Sequence, residues 1–417
     1  MKKKLTRRQF LLAMLSAGAA GITFTKTGQV LGADGSKVFL PFISGPQGTP
    51  EPTPEPTPNP TPIPTPSPTP NPTLPPPGGS RVVRVHSNTV TDWTGSGNYW
   101  DHVSQDRVNA MVNEGVCGLT GKATSAEAWR AILPNYVAGQ GIAIKANFNN
   151  TMDPYGCSNP SPEINPLPQI AIPVIEGLKS IGVLETNICF YDGVGRRIPD
   201  YFYSPIHSTF PEVLFYDACH LPVELSNGYI NFYPPTGTMP SQKIAKPAED
   251  ANYLINIPDV KNHYNAGITL GFKNHFGTIQ HPGDLHTRTF VTNEGTEYRL
   301  DYNPLVDINK SPLIGSKTVL TLGNGIFGSL GNQSAIPNIW PNTFGDYPKS
   351  LFFAKDPVAI DCVMADFLDA EWGNYQNSSR YLELAEQAGL GIFEHVVNPL
   401  ANPNGYTKID YKVIEQS

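Results

Sequence analysis

From about residue 105 to 370, short apolar runs that end in Gly, Asn or Asp alternate with longer stretches whose apolar positions recur every three or four residues. The short runs have the length of buried strands and the longer ones the spacing of amphipathic helices. Helices are predicted over Gln105–Leu119, Ser125–Leu133, Pro168–Ile181 and Pro357 to about Leu368. Strands are predicted at Gly141–Asn147, Asn187–Tyr191, Tyr253–Ile257, Lys317–Leu322 and Ser350–Ala354. Alternation of this kind predicts an α/β fold, with a mainly parallel sheet flanked by helices. Two long polar stretches, Tyr201–Ala248 and His281–Asn309, read as loop excursions from that frame. Asp356-Pro357 has the form of an N-cap followed by a first-turn proline.

Upstream the pattern changes twice. Residues 1–33 carry a basic start, the run Thr6-Arg7-Arg8-Gln9-Phe10-Leu11 and an apolar stretch from Phe10 to about Phe24. This is the form of a twin-arginine export signal, which assigns the chain to the export machinery of that route and to an extracytoplasmic location. The apolar stretch is short for a stable membrane span, which favours removal, with Ala33 as the predicted cleavage point. Leu31 departs from the small-residue pattern before a cleavage site and leaves an uncleaved membrane anchor as the alternative. After a short mixed segment, 34–48, residues 49–79 are dominated by alternating proline and threonine. Proline at every second position removes backbone donors and sets φ, so this is an extended spacer, able to reach about 90 Å at about 3.1 Å per residue. Residues 80–417 are then a single predicted domain.

The formal net charge of −7 becomes −13 once the six cations of residues 1–33 are removed (−7 − 6). Such acidity argues against nucleic acid as a partner. The five cysteines, Cys117, Cys157, Cys189, Cys219 and Cys362, contain no Cys-x-x-Cys, so this chain alone is a poor ligand set for an iron-sulfur cluster. In an oxidising compartment one or two disulfides are expected, with at least one thiol left over.

Ligands of open α/β sheets gather beyond the carboxyl ends of the strands. Here those ends carry Lys145, Asn147 and Asn149; Asp192, Arg196 and Arg197; Asp259, Lys261 and His263; and Asn324. Lys145 lies inside an otherwise apolar strand, where an ammonium requires a carboxylate, a ligand anion or water.

Three blocks, IAIKANFN, YLINIPDVKNHYNAGITLGFKNHFGT and SLFFAKDPVAIDCVMADFL, resemble the signature blocks of domain-of-unknown-function family 362. EGVCGLTGKATSAEAWRAIL resembles the lead-in of its twin-arginine-exported branch, and the likeness spans about residues 105–370. The resemblance implies an α/β domain, alone or fused to ferredoxin-type modules, and assigns no reaction. The cluster cysteines of such modules are missing here. Asn324 stands where the family pattern implies an aspartate, which weakens a metal or proton-transfer role at that strand end.

The second block contains Lys-Asn-His twice, at Lys261-Asn262-His263 and Lys273-Asn274-His275. As a helix, Ala266–Ile279 would bury Ile268, Phe272, Phe276 and Ile279 on one face. As a strand it would put Lys273 and His275 together on the polar side. The predicted arrangement places Lys261 and His263 on the loop leaving the Tyr253–Ile257 strand, faced by Lys273 and Asn274. Lys261, Lys273 and His263 are the catalytic candidates, and Lys145, Asn147, Asn274, Asp192 and Asp361 the ligand-binding ones, for a small carboxylate or phosphate. His263, His275 and Asp259 are the candidate metal ligands, although no recognised metal spacing joins them. Two function classes fit: an enzyme on a small anionic substrate, with or without a metal, and a tethered non-catalytic module binding a solute, a metal or an envelope partner.

Overall fold

The computed structural model of the chain describes residues 80–416, except 152–153, 236, 264–265, 286–300, 331–334 and 374–380, together with residues 30–31 and 37–38. The predicted export signal, apart from Val30–Leu31, and the proline-rich segment 49–79 therefore lie outside the described residues. The chain divides into two units, Met1–Ser67 and Pro68–Ser417. Within the first, Val30–Leu31 pairs antiparallel with Lys37–Val38. Among the described residues no helix is long and apolar enough to cross a membrane.

The second unit is built on a ten-stranded mixed sheet. In chain order its elements are β1 (Ser80–Ser87), α1 (Gln105–Thr120), α2 (Ser125–Ile132), β2 (Ile142–Ala146), α3 (Pro168–Ser180), β3 (Ile188–Tyr191), α4 (Asp200–Thr209), β4 (Leu214–Tyr216), α5 (Lys246–Asp250) and β5 (Tyr253–Ile257). There follow β6 (Asp259–His263), β7 (Gly267–Thr269), α6 (Gly271–Asn274), α7 (Pro304–Lys310), β8 (Thr318–Ser329), β9 (Ser350–Ala354), α8 (Pro357–Trp372), α9 (Tyr381–Gln387) and β10 (Ile409–Gln416). The strand order is β10-β1-β9-β8-β5-β2-β3-β4. Only β9 runs against its neighbours along that order; the other neighbouring pairs are parallel.

The apolar runs become strands because helices cover both faces of the sheet, so side chains on either side of a strand are buried. One core packs α1, α2, α3 and α4 against it, with Val108, Met111, Trp129, Ile170 and Phe202. The other packs α8 and its neighbours, with Val358, Val363, Phe272 and Leu305. Gly115 lets α1 approach β9 closely, since a Cβ there would fall 2.2 Å from the Phe353 ring. The predicted cap of α8 is present: Asp356 Oδ1 accepts the amides of Val358 and Ala359, both at 2.9 Å, with Pro357 in the first turn.

Three features depart from the sequence reading. Strands β1 and β10 pair along their whole lengths at one side of the sheet and lie outside the predicted set. The stretches Tyr201–Ala248 and His281–Asn309, read as loop excursions, hold elements of the frame: most of α4, all of β4 and the start of α5 in the first, and most of α7 in the second. The segment after Tyr253–Ile257 is itself a strand rather than a loop. Strand β8 runs past the end of β5, and its later backbone groups need partners. The Asn324 amide donates to Pro258 O at 2.8 Å, and β6 then pairs with β8 through Asn324–Asp259 and Ser329–Lys261.

Candidate polar site at the carboxyl edge

Strands β2, β3 and β5 are parallel, so their carboxyl ends share one edge, and β6 extends that edge. Lys145 is the cross-strand neighbour of Tyr191 on one side and Asn256 on the other. It is 1% exposed, and its ammonium meets Asp192 Oδ1 at 2.8 Å, Ala146 O at 2.6 Å and Asn274 Oδ1 at 3.1 Å. Asp192 is fixed in turn by the amides of Phe148 and Gly193, each donating at 2.6 Å. The buried ion pair is thus one strand end bonded to the next.

A second centre forms beside it. Lys261, fully buried on β6, donates to Asn147 Oδ1 at 3.2 Å and lies 3.5 Å from Asp259 Oδ2 and from Ile164 O. Asn324 Nδ2 donates to the other Asp259 oxygen at 2.9 Å. Side chains two apart on a strand share a face, so Asp259, Lys261 and His263 line up on the same side of β6. His263 Nδ1 accepts the Ala266 amide at 3.1 Å, which in the neutral ring puts the proton on Nε2.

The stretch 266–279 is neither the helix nor the strand that its pattern allowed. It is a three-residue strand, β7, then the single turn α6, then a 3-10 turn over His275–Thr278. Ile268, Leu270, Phe272, Phe276 and Ile279 are all buried, and so are Lys273, Asn274 and His275. There is no solvated polar face, because the turn sits between the sheet and α8. Asn274 enters the site: besides accepting from Lys145, its Nδ2 donates to Asn256 Oδ1 at 2.7 Å and to Lys145 O at 3.3 Å.

Electrostatics place the remaining cations. Burial holds the Lys273 ammonium at about 7, with Lys261, Arg196 and Lys145 adding repulsion in that order, and its Nζ lies 5.0 Å from the Phe276 ring centre. Burial also lowers Lys145 and Lys261, against the attraction of Asp192 and Asp259 respectively. The Asp259 carboxyl is raised by burial, against Lys261. His275 is held neutral, at about 3, by burial and then by Lys145, and among the described residues neither of its ring nitrogens has a hydrogen-bond partner. Among the described residues, Lys145, Arg196, Lys261 and Lys273 therefore share one neighbourhood with Asp192 and Asp259. Glu163 also acts on Lys261.

Of the sequence candidates, Lys145 contacts Asp192 and Asn274, Lys261 contacts Asn147 and Asp259, and the two groups and Lys273 are joined electrostatically. Asp361 does not face the cluster. It lies under α6 and accepts the Gly271 and Phe272 amides at 2.8 and 2.9 Å. His263, His275 and Asp259 do not gather: among the described residues no three His, Cys, Asp or Glu side chains are placed to hold one metal ion. Arg196 stood among the strand-end residues without an assigned role, and Asn256 was absent from the candidates. Arg196 donates to Asn149 O and Oδ1 at 3.1 and 2.9 Å, beside the cluster. Asn256 was legible as the lone amide within the apolar run YLINI, where a buried polar group requires a partner.

The charged and amide side chains of the polar cluster are buried. An open cleft of about 530 Å³ lies at the opposite, amino edge, lined by Ile142, Ile188, Leu214, Tyr216, Pro222 and Ala251 among others. It lacks the convergent buried charge found at the carboxyl edge, and that chemistry decides between them.

Cys157 and Cys219 form a disulfide, tying the segment after β2 to the turn after β4. Cys117, Cys189 and Cys362 are free thiols, and burial pushes Cys189 up to about 12, as expected of an inert thiol.

A family model described as "Domain of unknown function (DUF362)" matches residues 142–366, more than half of the chain. Among solved structures, a protein from Thermotoga maritima aligns at TM-score 0.33 and 12% identity, over 68% of this chain and 59% of its own. The lactate racemase apoprotein from Thermoanaerobacterium thermosaccharolyticum aligns at TM-score 0.31 and 16% identity, over 53% of this chain and 48% of its own. The chain thus spans about half to three fifths of those proteins, and likenesses this slight say nothing of what it binds. No curated protein matches it.

Proposed function

Because the chain belongs to the family of domains of unknown function DUF362, and the matched span holds the whole polar cluster, we propose that the carboxyl-edge cluster binds a small carboxylate or phosphate. One observation carries the reading: Lys145, Arg196, Lys261 and Lys273, from four separate segments, converge around two buried carboxylates. Cations are costly to bury, and a ligand anion offsets that cost through charge-assisted hydrogen bonds. We further propose an enzyme, in which Lys273, poised near neutrality, exchanges a proton with the bound anion and His263, on the same face of β6 as Asp259 and Lys261, is a second acid-base group. Export by the twin-arginine route completes the reading, supported by the pattern of residues 1–33 and by a disulfide of the kind found in oxidising compartments.

Calorimetric titration of the purified full chain with inorganic phosphate and with oxalate tests this. Binding is expected in the native protein and a loss of at least about tenfold in Lys261→Met. No heat and no thermal stabilisation with either anion would refute it. A non-catalytic binding module is the second reading, favoured by Lys145, whose ammonium is already held by Asp192, Ala146 O and Asn274. Metal and cofactor analysis of natively exported protein separates the two: a stoichiometric group lost in His263→Ala supports the enzyme.

A further inference from the structure

The turn that delivers Lys273 and Asn274 is only four residues long, and a single helical turn has little stability of its own. Its shape must come from groups around it, and three buried side chains surround it. Asp361 Oδ1 and Oδ2 accept the Gly271 and Phe272 amides. Asn256 Nδ2 donates to Gly271 O at 2.9 Å, and Asn309 Nδ2 donates to Phe272 O at 3.1 Å. Asp361 is 0% exposed and engages both leading amides at once, one with each carboxyl oxygen, while burial pushes the carboxyl up to about 7 against those two bonds. Gly271 completes the fit: a Cβ there would lie 2.8 Å from Asp361 Oδ1 and 3.2 Å from Thr321 Cγ2.

We infer that Asp361 is a positioning residue: its carboxylate, without touching the ligand, clamps the start of α6 so that Lys273 and Asn274 face Lys145 and Lys261. The role rests on the anion-site reading for its purpose, while the clamp itself rests on the two hydrogen bonds. Asparagine at this position keeps one acceptor and turns an NH₂ toward the other amide, so one bond becomes a repulsion. The turn then relaxes and Lys273 moves out from among the other cations. A carboxylate under a helix start also stabilises it through the local dipole, yet here it binds the leading amides of a turn too short to stand alone.

The experiment uses the full chain and two readouts in the native protein and in Asp361→Asn. Site-resolved acetylation of lysines, followed by mass spectrometry across pH, gives the midpoint at which Lys273 becomes reactive. Calorimetry with inorganic phosphate gives affinity. The expected result is a Lys273 midpoint near 7 in the native protein that rises in Asp361→Asn by about one unit, with phosphate affinity reduced about tenfold. An unmoved midpoint in a variant that melts as a folded protein overturns the clamp, even where phosphate binds. Failure of the native protein to bind phosphate overturns the anion reading instead and leaves the midpoint as the test of the clamp. If Asp361→Asn does not fold, Gly271→Ala, which presses on the same carboxylate from the other side, is read in the same way.

Discussion

Replacing Asp192 with alanine is the sharpest probe of whether the carboxyl edge is dry. Its carboxylate, 3% exposed, accepts three short hydrogen bonds, from Lys145 Nζ at 2.8 Å and from the Phe148 and Gly193 amides at 2.6 Å. The variant leaves a buried ammonium with only Ala146 O and Asn274 Oδ1, and two amides without acceptors. Breaking one side of a buried pair costs about 3–5 kcal/mol. For a domain of 338 residues (417 − 79), an unfolding entropy of about 2.1 cal/mol/K per residue converts about 4 kcal/mol into a fall of roughly 6 °C in Tm. Without its carboxylate, Lys145 is pushed still further below its ordinary 10.5. The unfolded chain then binds that proton more tightly than the folded one, so the variant regains stability as pH rises toward 10.5. Melts of native and variant protein at pH 7 and pH 9.5 should show the deficit shrinking at the higher pH. Adding Lys145→Met to the variant should recover most of it, because no buried charge is then left uncompensated. A deficit below about 1 kcal/mol, or one equal at both pH values, would mean that water reaches the pair and that the dry-site argument fails.

Two further outcomes follow from the same structure. Lys273 is charged below about 7 and neutral above it, so oxalate, whose own charge is constant across that range, should bind about tenfold more weakly at pH 8.5 than at pH 6; Lys273→Met should bind weakly at both, and a native protein with flat binding would contradict the placement of this lysine. Denatured but unreduced protein should titrate three thiols, Cys117, Cys189 and Cys362, and reduced protein five. Opening the Cys157–Cys219 link, which spans 62 residues, should cost roughly 2–5 kcal/mol, read as a lower Tm in a dithiol reductant.

Much of this molecule was legible without coordinates. Apolar runs bounded by turn residues located β2, β3, β5 and β9 to within about two residues, because a strand buried on both faces has to be apolar throughout. The cap of α8 was readable from Asp356-Pro357, since a cap is a local hydrogen-bond pattern set by adjacent residues. Lys145 was readable as a group in need of a partner. The partner was not, because Asp192 lies 47 residues on and meets it only through the register of β2 against β3. The extension of the sheet through β6 was hidden for a related reason. Asp259–His263 has no strand periodicity of its own and is extended because the overlong β8 leaves backbone groups to be paired.

The second Lys-Asn-His triplet marks the limit most clearly. Its glycines and alternating apolar residues allowed helix or strand, and local preference could not choose between two weak options. Contacts from Asp361, Asn256 and Asn309 chose a third conformation, which buries Lys273, Asn274 and His275 together. The sequence by itself determined the α/β class, the cap of α8 and five of the ten strands of the sheet, because those depend on neighbours along the chain. Which charges meet, which lysine is held near neutrality and which carboxylate serves as a clamp were decided by the tertiary structure alone, since each depends on groups brought together from distant segments and stripped of water.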